Sequence, residues 1–244
     1  MLNMRILIIR HGDPDYSIDS LTPTGWIEAE ALSEYLMKTS ISKIYVSPLG
    51  RAQDTIRPYL EKSGREAKTL DFLREFSPKV EKPGISGVGV SWDWLPGEFA
   101  VRDYFFDKDK WHTAPEFVKA AVKAEYDRVC AGLDELLAEH GYERDGNLYR
   151  AKRPNHDTIV LVCHFGVEAV LLSHLFGVSP MTLWHSTCAL PTSVTTLYTE
   201  ERREGIAYFR MSAFGDTSHL YAAGREPSFA ARFCETFTDD TRHD

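Results

Sequence analysis

Two unbroken apolar runs constrain this chain more than any other feature: Ile6-Leu7-Ile8-Ile9, and Ile159 to Val162 within the stretch Thr158–Cys163. Neither run alternates between apolar and polar positions, so each reads as a strand buried on both faces. A sheet covered on both faces belongs to an α/β protein. Each run ends on a histidine with glycine close behind, as Arg10-His11-Gly12 and as His164-Phe165-Gly166. The second turn leads into Val167-Glu168-Ala169-Val170-Leu171-Leu172, an apolar helix start. In open α/β sheets, ligands bind beyond the carboxyl ends of the strands. Two strands far apart in sequence therefore aim their histidines at one ligand region.

The ligand chemistry follows from the residue types. Arg10 is a fixed cation of the kind that recognises phosphate bidentately. Gly12 lets the backbone approach a ligand closely. A third segment, Tyr45-Val46-Ser47-Pro48-Leu49-Gly50-Arg51-Ala52, ends a strand and opens a helix, with Pro48 favouring the first turn. Arg51 then stands near a helix N-terminus, where amide groups and the dipole already favour an anion.

The remaining pattern is that of alternating strands and helices. A helix is expected over residues 22–39, capped by Thr22 or Thr24, with Trp26, Ala29, Leu32 and Leu36 as its apolar stripe. A strand at 43–46, a helix at 48–63 closed by Gly64, and a short strand near 68–73 follow. Apolar residues at helical spacing predict one long helix over 114–140, with Gly141 as its cap. A helix at 166–176 ends before Gly177, and strands at 193–199 and 206–211 flank a turn region Glu201–Gly205. The expected fold class is α/β: a three-layer α/β/α sandwich with a mostly parallel central sheet. One domain covers 1–225, and a polar tail, expected to be partly disordered, covers 226–244. An aromatic-rich insert at about 76–113 lies within the domain. Its aromatics either wall a leaving-group pocket or pack the segment onto the sheet or a second subunit.

A length of 244 residues suits one large-core domain. The net charge of −8 argues against a nucleic-acid partner, which needs clustered cations. It leaves a phosphate ester open, because a local pocket can be positive on an acidic protein. Cys130, Cys163, Cys188 and Cys234 show no paired spacing and read as free thiols of a reducing compartment. Residues 1–5 lack the pattern of a signal peptide, and no apolar run is long enough to span a membrane, so the expected location is cytoplasmic. No His/Cys cluster has metal-ligand spacing, so neither a metal nor a cofactor is expected. His140, His156, His174 and His243 read as surface residues.

Together the motifs resemble the histidine phosphatase superfamily, also called the phosphoglycerate mutase-like family. The family's Arg-His-Gly matches Arg10-His11-Gly12, its Leu-Thr-x-x-Gly matches Leu21-Thr22-Pro23-Thr24-Gly25, and its Ser-Pro-x-x-Arg-Ala matches Ser47–Ala52. The second histidine turn matches His164-Phe165-Gly166, with Phe165 where many members carry glycine and where acid-phosphatase members carry an acidic residue. The resemblance implies that His11 attacks a phosphomonoester and becomes phosphohistidine. Arg10, Arg51 and a protonated His164 would surround the transferring group. Glu75, in Leu73-Arg74-Glu75, matches the family's general acid, with Asp13 and Glu98 as alternatives. The segment after it, Phe76-Ser77-Pro78-Lys79-Val80, departs from the mutase pattern. Ser17 stands where mutase members carry a phosphate-binding Asn; with Gly12 and Phe165 it is an expected substrate contact. The implied activity is metal-independent hydrolysis of a small-molecule phosphomonoester. Phosphoglycerate mutase-type transfer and a weakly catalytic phosphate-ligand-binding module are the alternatives. Homo-oligomerisation stays open.

Overall fold

The computed structural model describes residues 3–229 and 235–238. Cys234, His243 and most of the expected tail lie outside the described residues.

One eight-stranded sheet organises the chain. Its strands are β1 (Arg5–Arg10), β2 (Lys43–Val46), β3 (Lys68–Thr69), β4 (Tyr142–Asp145), β5 (Leu148–Ala151), β6 (Thr158–Cys163), β7 (Val194–Arg203) and β8 (Ile206–Asp216). The spatial order is β3-β2-β6-β1-β7-β8-β5-β4. The β3-β2-β6-β1 half is parallel throughout. Each neighbour from β7 onward is antiparallel to the one before it, which leaves six of the eight strands running in one direction.

The two apolar runs occupy the middle of the parallel half, and their side chains divide between its faces. Ile6, Ile8, Ile159 and Leu161 join one core, with Val129, Leu133 and Leu136 of α3 (Val122–Glu139) and Val167, Val170 and Leu171 of α4 (Phe165–Phe176). Leu7, Ile9, Val160 and Val162 join the other, with Leu32 and Leu36 of α1 (Pro23–Met37) and Ile56 and Tyr59 of α2 (Gly50–Ser63). Burial on both faces is what an unalternating run requires. Thr22 caps α1, its hydroxyl accepting from the Gly25 N–H at 3.1 Å, and Gly64 closes α2 in the left-handed conformation at φ 67°.

Several sequence expectations shift. The long helix over 114–140 is two helices, Pro115–Lys119 and Val122–Glu139, broken at Ala121, whose φ is 51°. The break changes the helical phase: Phe117 faces the insert, Val129 and Leu133 face the sheet, and Val118 is 66% exposed. The expected strand near 68–73 ends at Thr69, and Asp71–Leu73 form a 3₁₀ turn. That turn seats Phe72 against Gly132, where a Cβ would lie 2.5 Å from the ring. The β4–β5 hairpin has no apolar run to announce it, only the buried Tyr142 and Tyr149. His140 and His174 are half-buried, bonded to the Tyr45 hydroxyl at 2.8 Å and to Asp134 at 2.9 Å, rather than free on the surface.

The insert divides its aromatics between two tasks. A hairpin, Lys79–Glu81 with Val88–Val90, and Trp92 border the cavity described below. Trp94, Phe105 and Trp111 are buried and pack against Phe117 and Trp184, mostly edge to face. The segment is thus continuous with the core. Phe105→Ala is expected to cost about 3–5 kcal/mol of stability, read by urea unfolding. A cost near zero would make the insert an independent flap.

Candidate active site

The parallel pairing of β1 with β6 places Arg10 opposite Cys163, so the next residue on each strand is a histidine. The His11 N–H donates to the Cys163 carbonyl at 3.0 Å, and the two imidazole centroids are 5.0 Å apart. Both rings are buried.

His11 Nδ1 lies 2.7 Å from the Gly12 carbonyl. A carbonyl oxygen only accepts, so Nδ1 carries the proton and Nε2 keeps a lone pair. Burial, with help from Arg10 and Arg51, holds the His11 pKa well below the usual histidine value, so the ring is neutral. The Gly12 carbonyl is itself fixed. Gly12 N–H donates to Thr55 Oγ1 at 2.8 Å, Asp13 N–H to Glu28 Oε2 at 2.9 Å, and Thr22 N–H to the Asp13 carbonyl at 3.0 Å. A Cβ on Gly12 would come within 3.0 Å of the Gly25 carbonyl, and one on Gly25 would overlap the Asp13 carbonyl. Gly12 therefore serves backbone-to-backbone packing against α1. From the other side, Thr192 in a left-handed conformation (φ 55°) donates its N–H to the His11 carbonyl at 3.1 Å.

Arg10 is buried, and its Nη1 donates to the Ala189 carbonyl at 2.5 Å. Arg51 occupies the first turn of α2 and pairs with Asp19 Oδ1 at 2.6 Å, with the Tyr16 ring 5.3 Å away. Asp19 Oδ2 accepts the Gly50 N–H at 2.7 Å. Partial burial works against the Asp19 charge, but the Gly50 N–H and the Arg51 guanidinium outweigh it and hold the carboxyl below its usual range. Asp19 thus positions Arg51. Nothing in its sequence context distinguishes it from an ordinary loop acid.

His164 is the residue immediately before α4, with Nε2 at 2.8 Å from Ser47 Oγ. Ser47 Oγ also accepts the Leu49 N–H at 3.2 Å, so one hydroxyl ties the His164 ring to the start of α2. Burial first, then the neighbouring His11 ring and the charges of Arg51 and Arg10, push the His164 pKa well below its usual value. A pocket that already holds two guanidiniums opposes a third positive charge on the His164 ring.

Glu75 is anchored to the start of α4. Oε1 accepts from the Phe76 N–H at 2.7 Å and the Val167 N–H at 3.0 Å, and Oε2 accepts from the Gly166 N–H at 3.4 Å. Burial raises its pKa, while these donors and Arg51 pull the other way without cancelling the rise. Glu75 lines the same cavity as Arg10, His11, Arg51 and Phe165. The other two acids considered do not line it: the Asp13 carboxylate takes the Thr22 hydroxyl at 2.5 Å, and Glu98 belongs to the turn Pro96–Phe99. Ser17 also lies outside the cavity. It is exposed, and its hydroxyl donates to Asp15 at 2.5 Å; Tyr16 lines the cavity in its place. Phe165 stands edge to face with Trp92, centroids 5.8 Å apart. The cavity measures about 700 Å³, room for a phosphate and a substantial leaving group.

A family model described as the histidine phosphatase superfamily, branch 1, matches residues 6–211. A probable phosphatase of Schizosaccharomyces pombe is 26% identical over 232 residues, covering 89% of this chain and 95% of that one. The fold is shared with a phosphoserine phosphatase variant of Entamoeba histolytica in complex with phosphoserine, at TM-score 0.55 and 19% identity, covering 89% of this chain and 99% of that one. It is also shared with a mycobacterial glucosyl-3-phosphoglycerate phosphatase, at TM-score 0.55 and 20% identity, covering 88% and 100%.

Gly166 tests the arrangement of the acid. A Cβ there would lie 2.6 Å from both Glu75 Oε1 and Trp92 Nε1. Gly166→Ala is therefore expected to lower kcat on a phosphomonoester by about 10²-fold, the scale of a misplaced acid. Inhibition by orthophosphate, which tests the Arg10 and Arg51 end, should change little. Unaltered kcat in this variant would remove Glu75 from the chemistry.

Proposed function

The chain belongs to the histidine phosphatase superfamily, and on that premise we propose that it hydrolyses small phosphomonoesters through a phosphohistidine formed on His11. The observation that carries this reading is the His11 imidazole, neutral, buried and locked in its Nδ1–H form by the Gly12 carbonyl, in one cavity with Arg10, Arg51 and Glu75.

The chemistry proceeds in two displacements. His11 Nε2 attacks phosphorus, the N–P bond forms, and the ester P–O bond breaks. Glu75 gives its proton to the departing oxygen, and the alcohol leaves. The resulting Glu75 carboxylate then takes a proton from water as the water oxygen attacks phosphorus, the N–P bond breaks, and orthophosphate departs. Arg10 and Arg51 hold the equatorial oxygens, whose charge dominates phosphoryl transfer. A phosphate dianion beside His164 favours its protonated form, so the third cation arrives with the substrate. The opposing influences on Glu75 suit a group that must first lose a proton and then regain one: burial favours the acid, and the amides of α4 favour the base.

The pH dependence follows from the two shifts. The first step needs neutral His11 and protonated Glu75. The depressed His11 pKa keeps the nucleophile available until well below the usual histidine value. The raised Glu75 pKa extends its acid form upward, so kcat/KM falls as pH rises through that pKa. Glu75→Gln is expected to lose this alkaline limb and to slow alkyl phosphates by about 10²–10⁴-fold. With p-nitrophenyl phosphate, whose leaving group departs without a proton, the same variant should release a burst of one nitrophenolate per chain and then stall for lack of a base. His11→Ala should abolish turnover. Activity retained in His11→Ala, or an alkaline limb retained in Glu75→Gln, would overturn the assignment.

A further inference from the structure

One buried acid takes no part in the two displacements. Glu168 is 1% exposed and lies in the first turn of α4, its N–H donating to the His164 carbonyl at 2.9 Å. Its neighbours in the chain, Val167, Ala169 and Val170, are apolar and buried. Its Oε1 is buried with no hydrogen-bond partner among the described residues. A carboxyl left half-satisfied in a core is costly, so a task at the site is the natural place to look for its reason.

Strand register places this carboxyl beside Arg10. Alternate residues of a strand share a face. Ile6 and Ile8 of β1 point into the core that α4 covers, so Arg10 leaves the sheet on that same face. On the adjoining strand β7, Leu197 stands opposite Ile6 and Thr195 opposite Ile8. The Thr195 hydroxyl faces the Glu168 carboxyl. The ionisable groups that bear on Glu168 are the Arg10 guanidinium of β1, the Cys163 thiol of β6 and Glu75. Burial holds the thiol protonated, and Arg10 is the cation of the set. Burial also pushes the Glu168 pKa up to about 7; the Thr195 hydroxyl and Arg10 pull it down, and Glu75 adds to the rise.

An ionised Glu168 offsets the buried guanidinium, and in doing so competes with a phosphoryl dianion for it. A dianion at Arg10 in turn favours the protonated carboxyl. Binding of the anion and binding of the proton therefore reinforce each other. We propose that Glu168 is a positioning residue that acts through Arg10: its carboxylate balances the guanidinium in the empty site and takes up a proton from solvent when a phosphoryl dianion binds, so its charge gates anion affinity. The inference rests on the reading that Arg10 holds the phosphoryl oxygens, and it does not require that the anion be hydrolysed.

Sulfate is the probe, because it stays a dianion near neutral pH and is not turned over. Its Kd is measured by calorimetry on the wild-type chain and on Glu168→Gln, across about two pH units either side of the Glu168 pKa. At the acid end the two chains should bind alike, since a protonated Glu and a Gln are both uncharged. At the alkaline end the wild type is expected to bind at least about fivefold more weakly than the variant, the lower scale of coupling between two sites. Comparing the chains at each pH removes the titration of Glu75 and His164, which both share. Thr195→Val keeps the side-chain shape but loses the hydroxyl that favours the carboxylate, so the weakening should move to higher pH. That shift decides the matter alone if Glu168→Gln does not fold. A ratio of affinities that stays flat with pH, or an unmoved pH dependence in Thr195→Val, would overturn the inference and leave the phosphatase reading intact. A wild-type chain that binds no sulfate at any pH would overturn the inference together with the phosphoryl pocket. The expected step in a chain that His11→Ala leaves fully active on esters would support the inference and overturn the phosphohistidine reading alone.

Discussion

The hydrogen bond from His11 Nδ1 to the Gly12 carbonyl is the constraint on which the site depends. At 2.7 Å it holds the proton on Nδ1 and leaves Nε2 a lone pair, and without it the ring exchanges between tautomers, only one of which leaves Nε2 available. The bond is short-range in sequence, but what fixes the carbonyl is not. Thr55 of α2 holds Gly12, and Thr22, Gly25 and Glu28, at the start of α1, seat Asp13. Glu28 is almost fully buried, and its second oxygen accepts the Ser228 N–H at 2.9 Å, so the C-terminal segment reaches the same loop. The strands deliver the ring, and the helices on one face of the sheet set its proton.

Charge is managed by the same elements. An acidic chain builds a cationic pocket by placing Arg10 at a strand end and Arg51 at a helix start, then keeps both imidazoles neutral through burial and the guanidiniums themselves. The α4 N-terminus, a ready anion site in principle, is occupied by the protein's own Glu75. The dipole that could have bound substrate instead steadies the carboxylate form of the acid, while burial steadies the protonated form.

Much of this was legible in the chain because it is local. Unalternating runs identified β1 and β6, Ser47-Pro48 marked the turn into α2, and the ends of those elements carry Arg10, His11, Arg51 and His164. Glu75 was legible only through a three-residue match. The supporting contacts without a local signal act across long sequence distances: Asp19 on Arg51, Glu28 on Asp13, and Thr192, which reads in sequence only as a strand-entry residue, on His11. A loop acid or a strand-entry threonine carries no signal until the fold brings it to a partner. The charge on His164 has no local signal for a related reason, since it depends on how deeply the ring is buried and which charges surround it. Ser17 turned outward because Asp15, two residues away, offers its hydroxyl a nearer acceptor.

The central claim, that a neutral His11 forms the covalent intermediate through Nε2, is tested most directly by trapping that intermediate. Wild-type protein turning over a phosphomonoester would be quenched in alkali, where phosphohistidine survives, then digested and mapped by mass spectrometry and ³¹P NMR. The account predicts phosphate on His11 alone, bonded to Nε2. Phosphate on Nδ1, on another residue, or on no residue during rapid turnover would contradict it.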